Sequence, residues 1–215
     1  MTNFCDEPEL RLNPRRMTTA TQLSLLGEPA AGLPEGFEYR AELVSRREEV
    51  DLIEAFRALD FKPFEFHGYF GNRRTVSFGW HYDFASSRVR QASEMPEFLL
   101  LLRDRAAVFA RLPPDAFEHA LITEYAPGAG IGWHRDRPVF DEVIGISLGA
   151  RCRFRLRQKE GNTWRRAAIE LAPRSAYLLR GPVRRDWEHS IPPLDELRYS
   201  VTFRSVKPAG KSAAP

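Results

Sequence analysis

Only two cysteines, Cys5 and Cys152, occur in 215 residues, too few for a disulfide framework and in keeping with a reducing compartment. No apolar run approaches the ~20 residues that a membrane-spanning helix needs, so no membrane association is expected. The opening stretch MTNFCDEPELRLNPRRMTT carries acidic residues and no apolar h-region. It does not read as a secretory signal, and the expected address is the cytoplasm. No internal repeat is present. What remains is a globular profile, 43% hydrophobic and 28% charged, long enough for one well-buried core and short for two. One domain and a monomer are expected.

The formal net charge of +3 is a mild lean. Its placement says more, because arginine recurs in NRR (Arg73, Arg74), RCRFRLR (Arg151, Arg153, Arg155, Arg157), WRR (Arg165, Arg166) and VRRDW (Arg184, Arg185).

Residues 1–35 are rich in Pro, Gly, Thr and Ala without a sustained period, and they read as a flexible N-terminal arm. A strand is expected at FEYRAELV, then a helix in SRREEVDLIEAFRAL, where Ser45 with Glu48 three residues on forms a capping box. KPFEFHGYFGNRRTVSFGWHYDF reads as two aromatic strands around a Gly71–Asn72 turn, and Pro96 leads into a second helix reaching about Ala110. Short strands follow at 119–125, 143–148, 151–157, 163–171, 175–180 and 197–204. The expected fold is mainly β with flanking helices (α+β), built on a jelly-roll core that spans 36–207, with 208–215 frayed.

The chemistry gathers in EYAPGAGIGWHRDRPVFDEVIGISLG. In an extended chain residues i and i+2 share a face, so His134 and Asp136 reach one point while Arg135 turns away. A lone His-x-Asp is as well read as a surface ion pair or a turn. A second histidine, His189 in WEHSIPP, stands just before the final strand, and a jelly-roll brings such strands face to face. Two His and one carboxylate leave coordination positions open, which suits a non-heme Fe(II) oxygenase better than a closed structural zinc. The last strand, LRYSVTFR, alternates Leu197, Tyr199, Val201 and Phe203 with Arg198, Ser200, Thr202 and Arg204. Its polar face either meets water or lines the pocket. In the second case Arg198 offers a planar fork of donors to the distal carboxylate of a metal-chelating dicarboxylate.

The order Tyr125-Ala-Pro-Gly-Ala, His134-x-Asp136, His189 and Arg198-Tyr-Ser-Val-Thr-Phe-Arg204 resembles the AlkB family of Fe(II)- and 2-oxoglutarate-dependent dioxygenases, from about Phe61 to Lys207. The resemblance implies a double-stranded β-helix fold with His134, Asp136 and His189 as iron ligands. It implies that Arg198 and Tyr125 hold the distal carboxylate of 2-oxoglutarate, and that Arg204 lies near the metal-bound carboxylate and Asp136. Thr123 and Ser200 stand where the founding member has Asn, so those co-substrate contacts become shorter or water-mediated. The implied reaction uses Fe(II), 2-oxoglutarate and O2 to dealkylate an N-alkylated nucleobase, with release of aldehyde, succinate and CO2.

A nucleobase substrate calls for cations and aromatic faces. Residues 61–84 lie where the family carries its nucleotide-recognition lid, so Asn72, Arg73, Arg74, Trp80 and Tyr82 are candidate contacts, whereas Phe64, Phe66, Phe70 and Phe78 also read as plain core. In RCRFRLR, Cys152, Phe154 and Leu156 alternate with outward arginines, so Arg153 and Arg155 face either solvent or phosphate. His67, His81 and His119 lack a carboxylate at ligand spacing and read as packing or surface residues. The arm holds Gln22-Leu23-Ser24-Leu25-Leu26, similar to the short peptide by which bacterial repair proteins dock on the sliding clamp, with Leu26 in place of the usual aromatic. Clamp docking favours DNA over RNA as substrate; the alternative is that these leucines pack back on the domain. Two other functions stay open: the same chemistry on a protein or small molecule, and a nucleic-acid-binding module with a vestigial metal site.

Overall fold

The computed structural model describes residues 32–66, 69–83, 88–91 and 93–207; side chains within 65–71 and 81–92 lie outside the description. The clamp-like segment Gln22, Leu23, Leu25 and Leu26, and His67, fall outside the described residues.

The elements in chain order are β1 (Phe37–Arg40), α1 (Arg46–Arg57), β2 (Lys62–Phe66), β3 (Tyr69–Asp83), β4 (Arg88–Gln91), α2 (Glu97–Ala110), β5 (Phe117–Tyr125), β6 (Ile131–His134), β7 (Phe140–Gly149), β8 (Cys152–Glu160), β9 (Thr163–Leu171), β10 (Ala176–Leu179), α3 (Gly181–Asp186), β11 (Glu188–Ile191) and β12 (Arg198–Val206). They form two antiparallel sheets. The larger runs β1-β10-β7-β12-β5-β3-β2 with β4 paired to β3, and the smaller runs β6-β11-β8-β9.

Each face of the larger sheet has its own core. One buries Leu52 and Phe56 of α1 and Leu99, Leu102, Ala106 and Ala110 of α2 against Ile122, Ile146, Tyr199, Val201 and Phe203. The alanines let α2 lie close to the strands. The other core fills the space between the sheets, with Tyr125, Val143, Tyr177 and Leu179 from the larger meeting Phe154, Leu156 and Leu171 from the smaller. This is the expected jelly-roll with helices packed on one sheet.

α1 starts where expected, because the Ser45 Oγ accepts from the Glu48 N–H and a Glu48 carboxylate oxygen accepts from the Ser45 N–H. Other expectations need correction. The β1 strand ends at Arg40, short of Val44. The reversal between β2 and β3 falls ahead of Gly71–Asn72, since Phe66 already pairs with Tyr69. Gly71 and Asn72 continue β3, whose next residues are held by pairing of Arg73 with Tyr125 and Arg74 with Glu124 on β5. The short strands β4, β6 and β11 and the helix α3 add to the expected elements.

Candidate active site

Strands β3, β5, β12 and β7 lie side by side, and their register sorts inward-facing residues into rows. One row reads Arg73, Tyr125, Arg198, Gly149; the next, Thr75, Thr123, Ser200, Ser147; a third, Ser77, Leu121, Thr202, Gly145; a fourth, Gly79, His119, Arg204, Val143. Because Tyr199, Val201 and Phe203 are buried toward the helices, the alternate residues of β12 project between the sheets. The polar face of the last strand therefore lines the interior. Arg198 is only 1% exposed, and Ser200 and Thr202 are buried beside it.

Arg198 donates through Nε to the Ser147 hydroxyl at 3.0 Å, and its carbon Cζ stands 5.0 Å from the Tyr125 ring centroid. Its Nη1 is buried without a hydrogen-bond partner. A buried guanidinium nitrogen left unpaired is costly, and a carboxylate is the group whose geometry answers it. Beside it the paired Thr123 and Ser200 are both short and buried, so this stretch of the floor is hydroxyl-lined.

At the rim, β6 ends on His134 and β11 carries His189 directly opposite it. The two rings are 4.2 Å apart between centroids, and His189 also stacks on Phe154 at 5.3 Å. His134 donates through Nδ1–H to the Gly132 carbonyl at 2.9 Å, which leaves the Nε2 lone pair free. Asp136 follows just beyond β6. Its Oδ1 accepts from Nε and Nη2 of Arg204, each at 2.8 Å, and its Oδ2 lies 3.7 Å from Nε2 of His189. As the side chains stand, no three His, Cys, Asp or Glu among the described residues are grouped closely enough to hold a metal ion. Two donors about 2.1 Å from one ion sit roughly 3.0–3.4 Å apart, and the 3.7 Å between Asp136 Oδ2 and His189 Nε2 lies a little beyond that spacing.

Electrostatics support that use. Burial pushes the His189 imidazolium down to about 3, with His134 adding to the shift against the opposing pull of Asp136. Burial also lowers His134. Both rings are therefore neutral at ordinary pH and keep a lone pair for a metal. Burial alone would raise Asp136, but Arg204, then His189 and His134, hold it well below the usual carboxylate range. The donor set fits a divalent metal with open positions, and Arg198 fits the far carboxylate of a chelating diacid.

Two residues here escaped the sequence reading. Tyr177 lies over Gly145, where a Cβ would land on its ring, and burial raises its phenol with Asp136, Arg198 and Arg204 among the charges it feels. The strand-interior glycine in VIGISLG is the signal that a side chain crosses there. Arg184 of α3 donates to the backbone carbonyls of Asp136, Arg137 and Phe140, pinning the loop that presents Asp136. Nothing in VRRDW distinguished it from its exposed neighbour Arg185. His119, expected as packing or surface, is buried against Phe140 and meets Nη1 of Arg204 at 3.3 Å.

The proposed substrate contacts are less well gathered. Arg73 alone of them joins the floor, half-buried, its guanidinium 3.9 Å from the Phe64 ring centroid. Arg74 turns to the opposite face and pairs with Glu124 at 2.7 Å. Asn72 is exposed, and Trp80, 38% exposed, pairs with Gln91 of β4 farther along β3. Tyr82 stands opposite Val89, with its side chain outside the described residues. Arg153 and Arg155 project from the outer surface of the smaller sheet, away from the floor.

Among the described residues no helix is long and apolar enough to cross a membrane. An Alkylated DNA repair protein ALKBH8 homolog of Arabidopsis thaliana is 25% identical over 161 residues, covering 63% of this chain and 46% of that protein. An uncharacterized protein of Acanthamoeba polyphaga mimivirus is 32% identical over 102 residues, 41% of this chain and 48% of the viral protein. The chain thus spans about half the length of these curated relatives. The solved structure of OsALKBH1 shares the fold, with a TM-score of 0.64 at 17% identity over 80% of this chain and 98% of that one. The family model for the 2OG-Fe(II) oxygenase superfamily matches residues 38–204, a span that takes in both sheets, the floor and the histidine rim. The chain therefore belongs to the 2OG-Fe(II) oxygenase superfamily, a family that uses Fe(II), 2-oxoglutarate and O2.

Proposed function

We propose that the protein is a dioxygenase that oxidatively dealkylates N-alkylated nucleobases in nucleic acid, releasing aldehyde, succinate and CO2. The observation that carries the reading is the buried Arg198 with its unpaired Nη1, set on one floor with two neutral histidines and Asp136 at the rim. His134, His189 and Asp136 would hold the Fe(II). When bound, the iron supplies O2 activation coupled to decarboxylation of 2-oxoglutarate, which oxidises an N-alkyl carbon. Arg204 keeps the Asp136 carboxylate ionised and aimed. Arg198 and Tyr125 receive the distal carboxylate of 2-oxoglutarate, with Thr123 and Ser200 beside it. The apolar packing of Phe154, Leu156 and Tyr177 keeps bulk water from the floor.

The nucleobase reading draws on Arg73, a cation at the floor's edge opposite Tyr125, and on the name of the Arabidopsis relative. Asn72, Arg74, Trp80 and Tyr82 complete the proposed lid, with Arg74 contributing only if it leaves Glu124. The preference for DNA rests on the Gln22–Leu26 segment. It is tested by binding of a peptide spanning residues 17–30 to a bacterial sliding clamp, with Gln22→Ala and Leu25→Ala as controls. The main test is a panel of methylated single- and double-stranded oligonucleotides incubated with the iron-loaded protein and 2-oxoglutarate. Formaldehyde release with loss of the methyl mass supports the reading. Succinate formation without demethylation of any oligonucleotide would move the substrate to protein or a small molecule.

A further inference from the structure

We infer that the outer face of the smaller sheet is a binding platform for the single-stranded nucleic acid that flanks the target base. This rests on the nucleic-acid reading above and extends it to a surface outside the floor. On that face the guanidinium of Arg157 lies between two indoles, its Cζ 4.4 Å from the Trp133 ring centroid and 4.2 Å from that of Trp164. Arg155 reaches the same Trp133 at 5.1 Å and donates to the Ser190 hydroxyl at 3.0 Å. Arg157 is fixed in place by Glu188 at 2.6 Å. The two indoles and the guanidinium between them are thereby ordered in the free protein.

The charge pattern departs from that of an ordinary solvated face. Arg153 faces Glu170 across the ladder, and Arg157 faces Glu188, which are the opposite-sign pairs such a face uses. Yet Arg155 stands opposite Ala168, Lys159 opposite Trp164, and Arg157 is also directly opposite Arg166. Like charges in register destabilise a sheet, and here they leave the face with surplus cations beside flat aromatic groups. An anionic polymer with planar bases answers both features, phosphates meeting the arginines and bases stacking on the indoles. An acidic peptide would use the charges and leave the indoles idle. The face is also continuous with the active site. Trp133 immediately precedes His134, and β6 is the edge strand of the sheet, so a strand crossing that edge reaches the histidine rim.

The test is fluorescence anisotropy of a labelled, unmodified oligothymidylate of about 15 nucleotides with the full chain over a salt series, in wild type, Arg153→Ala, Arg166→Ala and Trp164→Leu. Each arginine variant should lower the slope of log affinity against log salt by about 0.7. Trp164→Leu should weaken binding about five-fold or more while leaving the slope alone. Wild-type slopes and affinities in all three variants, with the wild type binding normally, would overturn this inference alone. No oligothymidylate binding by the wild type, with methylated oligonucleotide still demethylated, would likewise overturn this inference and leave the nucleic-acid reading standing. Polyglutamate competing as well as unlabelled oligothymidylate would make the face a general anion surface and overturn the platform.

Discussion

Arg198 is a charge buried with one nitrogen unsatisfied, so in the ligand-free chain it works against stability. That gives Arg198→Met a two-part signature. Affinity for 2-oxoglutarate, measured by calorimetry, should fall about 30-fold or more, since losing one partner of a buried charge pair costs about 2 kcal/mol or more. The thermal midpoint of the ligand-free protein should stay level or rise. A lower midpoint with unchanged affinity would make Arg198 a structural residue. Gly145 is the second diagnostic position, because the Tyr177 ring occupies the space a Cβ would need. Gly145→Ala should cost about 1–3 kcal/mol in chemical denaturation. Adding Tyr177→Ala should recover part of that loss, and simple additivity would mean that the two positions are not in contact.

At the scale of elements, the site depends on short pieces held from outside. Arg184 grips two carbonyls of the loop after β6 and that of Phe140 at the start of β7, and a lysine has one nitrogen with which to replace that fork. Arg184→Lys should therefore weaken Fe(II) affinity about 10-fold or more, as seen when groups orienting metal ligands are lost. Metal titration reads it, and wild-type affinity would show that the loop holds itself. Ser45→Ala should instead lower stability by about 1 kcal/mol through the lost α1 cap. It should leave 2-oxoglutarate affinity unchanged, because α1 packs on the face of the larger sheet away from the floor. The same contrast explains what could be read from sequence. The α1 capping box and the strict alternation of β8 and β12 are local signals, and they are legible. The strands β6 and β11 are four residues each, bounded by glycine or proline, too short for a period, although they carry His134 and His189. Those histidines were found through their chemistry and spacing. Gly71–Asn72 misled because a turn-type dipeptide can continue a strand when pairing on β5 holds the neighbouring residues. The Arg184 clamp and the Tyr177–Gly145 crossing depend on contacts far apart in the chain, which no local pattern reports.

At the scale of the whole molecule, the larger sheet separates two cores with different duties. One fastens the helices, and the other leaves polar residues of β5 and β12 facing the smaller sheet. Closing the two sheets sets the histidine rim above a floor whose buried Arg198 awaits an anion, and the assignment of an iron and 2-oxoglutarate centre depends on that meeting. The most direct test follows succinate formed from 2-oxoglutarate by the full chain with Fe(II) and O2, in wild type and Asp136→Ala. The account predicts succinate from the wild type and nearly none from Asp136→Ala, with the variant's metal affinity also reduced. Succinate at the wild-type rate from Asp136→Ala would contradict it.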